Sequence, residues 1–180
     1  MPSLEGGKSL ARAKELFFYY CGSFFHMDRE GDYQEYIKYK VSKEQEEDWK
    51  NELVELKVSQ LSFNEITAFS NLAMIASTYY DYRIVERLIA FVRSNINEGD
   101  SLIKLIFAEI LLNIACPKEL TASKIQVVFM LLGSVSNHPV TVSPTWKGKP
   151  FAELPDEEYI RIRLNKDMDW ANDIKKRYCD

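Results

Sequence analysis

The sequence predicts an all-α protein, and three observations carry that expectation. Glycine is scarce, seven residues in 180, and the chain is rich in residues such as Leu, Ile, Ala, Glu and Lys. Most of these lose little conformational freedom on entering a helix. Ser42–Gln45 and Ser62–Glu65 both fit the pattern in which a hydroxyl and a Glu or Gln satisfy each other's free amides at a helix start. Further cap residues, Asp81, Ser101 and Thr121, come after Ser62 at intervals of 19, 20 and 20 residues. Helices of one length joined by short connections pack as antiparallel neighbours. The expected architecture is one domain over residues 1–180, with a loop insertion before the last helix. It is either an antiparallel multi-helix bundle or a short irregular helical-repeat (solenoid-like) array, since two such helices make a unit of about 40 residues. No side-chain self-similarity between units decides between them.

Taken in order, a first helix is expected over 8–21, with Leu10, Phe17, Tyr20 and Cys21 on one side, Gly22 breaking it and residues 1–8 flexible. A short helix over 32–39 carries Tyr33, Tyr36 and Ile37. The segment 43–60 is amphipathic: Trp49, Leu53, Leu56 and Leu61 recur at helical spacing opposite Glu44, Glu46, Glu47 and Asp48. Further helices are expected at 63–78, 82–95, 101–115 and 118–132, separated by the Asn97–Asp100 turn and by Cys116–Pro117. Residues 134–154 contain three prolines and read as a long loop or lid. Pro155 and the acids Asp156, Glu157 and Glu158 suit the positive end of a last helix, and Lys175, Lys176 and Arg177 suit its negative end.

Composition removes several function classes. The net charge is −4, so binding to a polyanion or an anionic membrane is not the default. Three cysteines, Cys21, Cys116 and Cys179, are far apart and form no CxxC, which suits a reducing compartment. The N-terminus lacks an export signal, and the longest apolar stretch, 102–116, is too short to span a bilayer and contains Lys104 and Glu109. The expected location is the cytoplasm.

Motifs of catalysis are absent or fail on inspection. Gly6–Ser9 resembles the end of a phosphate-binding loop but lacks the upstream glycine and strand. Asp167–Asp173 begins like a calcium loop and then departs from it at Ala171, reading instead as a helix with Trp170 inside and acids outside. His26 and His138 lie far apart in sequence, without HExxH or GxSxG. A Cys116–His138 pair is discounted because Cys116 comes directly after an apolar helix and is expected to be buried. The expectation is no metal, no cofactor and no catalytic residue.

Two features remain. Residues 28–60 hold ten acids and six bases, so the whole net charge sits there, and such a face steers basic partners. Overlapping it, Phe24–Tyr39 joins aromatic residues to His26, Asp28, Arg29 and Glu30, with Tyr33, Tyr36 and Tyr39 at spacing three. Tyrosine suits a surface that is part packed and part wet. A second tyrosine group, Tyr79, Tyr80 and Tyr82, falls in an inter-helix turn. The candidate binding residues are therefore His26, Asp28, Arg29, Glu30, Tyr33, Tyr36 and Tyr80, with Trp146 from the loop. The plainer alternative is a polar turn whose tyrosines dock on the core.

The functional expectation is a non-enzymatic protein-interaction module, immunity-like, antitoxin-like or regulatory, that meets another, basic, protein through an acidic, Tyr-rich face. The alternative is a ligand-binding protein or enzyme whose inter-helix pocket is covered by the 134–154 loop, with Trp146 facing His26 and Arg29. Nucleic-acid binding by the last helix ranks third: its six bases from Arg161 to Arg177 are interleaved with Asp167, Asp169 and Asp173. Homo-oligomerisation is left open.

Overall fold

Cap chemistry sets most of the helix boundaries. A computed structural model describes residues 4–147 and 153–178. Among them the chain is all-α: α1 Leu4–Tyr19, α2 Phe24–Arg29, α3 Tyr33–Tyr36, α4 Lys43–Ser59, α5 Thr67–Tyr79, α6 Tyr82–Ser94, α7 Ser101–Asn113, α8 Lys118–Ser136 and α9 Glu157–Tyr178. Ser42 Oγ accepts the Gln45 amide at 3.2 Å, and Asp81 caps α6 through the Arg83 amide. Asp100, rather than Ser101, caps α7 through the Ile103 amide at 2.9 Å.

Three expectations change. Ser62–Glu65 closes a turn instead of opening a helix: Ser62 Oγ accepts the Asn64 amide, and Ser62 and Glu65 form an isolated antiparallel bridge. That bend drops Phe63 into the core, and α5 starts only at Thr67. Thr121 does not cap α8; its hydroxyl donates to the Pro117 carbonyl one turn earlier, and the helix runs through Gly133 to Ser136. The segment Phe24–Arg29, read as a polar turn, is a helix capped by Ser23 with Met27 fully buried. The first helix also begins earlier than expected, at Leu4; residues 1–3 of the segment expected to be flexible lie outside the described residues.

Packing runs largely between elements close in the chain. α4 lies against α1 and α5, α5 against α6 and α7, α6 against α8, and α7 against α8 and α9. Phe69 stacks on Phe107 with centroids 4.0 Å apart, and Phe63 and Phe91 complete the aromatic centre. Each fully buried ring of this kind contributes about 2–3 kcal/mol. A second aromatic group, Phe17 with Phe24 and Trp49, joins α1, α2 and α4. Among the described residues no helix is long and apolar enough to cross a membrane.

Two polar features lock α7 to later parts of the chain. Of the expected lid, residues 134–136 continue α8, and 137–147 are pinned to the start of α7. The Ser101 amide donates to Thr141 O at 2.9 Å, and Asp100 Oδ2 accepts both the Ser143 amide and Trp146 Nε1. Residues 148–152 of the expected loop lie outside the described residues. On the other side Arg163 of α9 forms a two-pronged pair with Glu109 of α7. One turn further along α9, Asp167 is buried, not on the expected outer surface, and its Oδ2 has no hydrogen-bond partner.

Candidate interaction site

The α1–α2 corner is built by a helix stop. After Tyr19 the Gly22 amide donates back to Phe17 O and the Cys21 amide to Phe18 O, the paired bonds that close a helix with a left-handed residue. Cys21 takes that role at φ 49°, and Gly22 comes next at φ 71°. A Cβ on Gly22 would stand 2.5 Å from Tyr79 Oη, so this position needs glycine for both conformation and space. Tyr79 Oη donates to Gly22 O at 2.9 Å, which ties the end of α5 to the same corner. The next residue, Tyr80, is left-handed at φ 52° and closes α5 with its ring outside.

The aromatic pairs Tyr19–Tyr20 and Phe24–Phe25 each divide between inside and outside. Neighbouring helical residues point about 100° apart, so only one of two can face the core. Tyr20 goes in and Tyr19 out; Phe24 goes in against Phe17, Tyr33 and Tyr36, and Phe25 out. Tyr19 is 79% exposed, Phe25 74% and Tyr80 74%, the three highest values among the large apolar side chains of the described residues. Tyr19 and Phe25 stand on either side of the Cys21–Gly22 turn, and Tyr80 follows Tyr79, whose hydroxyl bonds that turn. His26 is half-buried with its ring 5.6 Å from that of Phe25, while Asp28 and Arg29 on the same short helix and Glu30 just past its end are exposed, Arg29 paired to Glu30 at 3.0 Å.

Of the tyrosines at spacing three, Tyr36 faces inward, while Tyr33 and Tyr39 are half-buried. Tyr36 is buried and donates to Glu46 Oε1 at 2.8 Å; its burial, reinforced by Glu46, pushes the phenol far above its ordinary pKa. Tyr33 is half-buried against Phe24, and Tyr39 donates to Glu35 at 2.7 Å. Tyr20 donates to Asp32 at 2.6 Å, a bond that raises its phenol to about 12. The expected part-wet stripe is therefore internal at Tyr36, and exposed aromatic surface comes instead from Tyr19 and Phe25. The doubled aromatics on either side of Gly22 were the sequence signal that marks them.

Many acids of 28–60 serve as staples. Glu35 pairs with Arg12, Glu52 with Lys14 and Glu55 with Arg87, linking α3 and α4 to α1 and α6, while Glu47 pairs with Lys50 within α4. Asp28, Glu44 and Asp48 have no ion pair among the described residues.

Trp146 belongs elsewhere. It is buried beside a hollow of about 370 Å³ lined by Phe63, Asn64, Gly99, Asp100, Thr141 and Ser143, with nothing from α2. His138 is exposed and bonds Ser134 O at 2.7 Å. Cys116, expected to be buried, is half-exposed, beside Thr121 Oγ1 at 3.4 Å. Three of the six α9 bases are spent internally, Arg163 on Glu109, Arg161 on Glu157 and Val135 O, and Arg177 on Asp173 O. Among the described residues no group of three or more His, Cys, Asp or Glu side chains is placed to hold a metal ion.

Comparison with protein-family models, with curated proteins and with solved structures finds no match.

Proposed function

We propose that this chain is a non-enzymatic protein-interaction module whose α1–α2 corner docks a basic partner protein. The observation that carries this reading is that the three most exposed large apolar side chains include the two, Tyr19 and Phe25, that bracket the Cys21–Gly22 turn, with Tyr80 next to the Tyr79 that bonds it. Scattered single apolar residues are ordinary on a protein surface, but a cluster rimmed by polar groups is what an interface core looks like. Tyr19, Phe25 and Tyr80 act as anchors filling pockets on the partner. His26, Asp28, Arg29 and Glu30 form the rim that sets register and excludes water. The net negative charge of 28–60 steers a basic protein to this end of the molecule and disfavours acidic competitors.

The test is site-specific photocrosslinking in cells of the source organism, with the crosslinker at Phe25 or Tyr80 and, as control, at exposed Ile162 on α9. A basic protein captured from the first two positions alone, and lost in a Tyr19→Asp background, supports the reading. With both purified, Phe25→Asp then weakens binding at least about tenfold, as for an interface anchor. Equal capture from Ile162, or none from Phe25 and Tyr80, rejects it.

A further inference from the structure

We propose a second interaction surface, on the outer face of α8, that accepts an amphipathic helix carrying acidic residues on both flanks of an apolar stripe. Between Glu119 and the end of α8 the only charged residue is Lys124. That lysine points inward, buried, and donates to the Ile114 carbonyl at 2.5 Å. The solvent side of the helix is left with Ala122, Gln126, Phe129, Met130 and Gly133, none of them charged. A surface helix ordinarily keeps charges outside and apolar residues inside. Here the cation is in and Met130 is out.

The strip has relief as well as composition. On one side, between α8 and α9, lies a hollow of about 430 Å³ floored by Ile125, Phe129 and Met130, with Lys175 at its edge. On the other, between α6 and α8, lies one of about 520 Å³ that includes Ile89, Arg93 and Leu120. From Leu120 to Gly133 the strip is about 20 Å long, near four helical turns.

Charge identifies the occupant. Arg93 borders one side, held by two neutral acceptors, Ser123 Oγ at 3.1 Å and Gln126 Oε1 at 2.9 Å. Lys175 borders the other, its Nζ 6.0 Å from the Phe129 ring centre. Neither cation has a carboxylate partner among the described residues. Glu86, two turns before Arg93 on α6, is an acid beside the α6 hollow. An uncharged apolar strip between two such cations complements a helix with apolar residues at i, i+3/i+4 and i+7 and with Glu or Asp on either side. This surface is independent of the α1–α2 corner.

The probe is a labelled helical peptide of roughly 18 residues, long enough to cover the strip, with a leucine stripe flanked by Glu. A twin carries Lys at every Glu position. Fluorescence anisotropy with the full chain is expected to show binding of the Glu peptide, weakening as salt rises, and at least tenfold weaker binding of the Lys twin. Met130→Glu, a change at an exposed position, should weaken the Glu peptide at least tenfold. The double variant Arg93→Glu with Lys175→Glu should reverse the preference, which loss of fold alone would not do. Equal binding of both peptides, no binding, or indifference to Met130→Glu overturns the proposal. So does sedimentation showing that a second copy already covers the strip and is released by Met130→Glu.

Discussion

Replacing Asp167 by Asn is expected to stabilise the protein, and more so at alkaline than at acid pH. Asp167 is 2% exposed, between α9 and α7, with one carboxyl oxygen unpartnered. Burial, reinforced by the nearby Glu109 charge, raises its pKa from 3.8 to about 7, while Arg163 and Lys166 oppose the shift. The folded state thus holds this proton more tightly than the unfolded chain does. Below pH 4 both states are protonated and the site costs nothing. As pH rises from 4 to 7 the unfolded chain ionises freely while the folded one cannot, so stability falls, and above 7 the loss levels off. At about 1.4 kcal/mol per unit, the shift amounts to roughly 4 kcal/mol at pH 8 and less than half of that at pH 5. Asn keeps the shape and removes the charge. For a chain of this size, in which 1 kcal/mol moves Tm by about 2–4 °C, the variant should gain several degrees more at pH 8 than at pH 5. Thermal unfolding monitored by circular dichroism at both pH values measures it. Equal shifts at the two pH values, or a larger gain at pH 5, would refute the reasoning.

Gly22→Ala should cost about 2 kcal/mol or more, because φ 71° strains any side chain and the new Cβ would strike Tyr79 Oη; urea unfolding reads the loss. Asp100→Ala removes the acceptor shared by the Ile103 amide, the Ser143 amide and Trp146 Nε1. It should cost roughly 2–4 kcal/mol and raise hydrogen exchange across 137–147. Tyr36→Phe loses one bond to Glu46, about 1 kcal/mol, yet should leave binding at the corner unchanged. Phe25→Ser should leave stability within about 0.5 kcal/mol, so that any lost binding reports on the surface itself.

The residues place the helices well where local chemistry governs them. Ser42 and Asp81 cap as their side chains require, and the acids and bases at the two ends of α9 mark its direction. The misreadings share one cause. Ser62–Glu65 has the local signature of a helix start, but burying Phe63 beside Phe91 and Phe107 outweighs a cap bond. Phe24–Arg29 is too short to be helical on propensity, and it is helical because Met27 and Phe24 have a core to enter.

The candidate surfaces divide the same way. That residues 28–60 are acidic, and that doubled aromatics flank Gly22, is written in the chain. That Glu35, Glu52 and Glu55 are spent on ion pairs to other helices, that Tyr36 turns inward, and that Tyr79 ties the end of α5 to Gly22 depend on contacts between residues far apart in sequence. The inward Lys124 and buried Asp167 are of the same kind. A helical period says that a residue shares a face with its neighbours; only the partners packed against that face decide whether it becomes inside or outside.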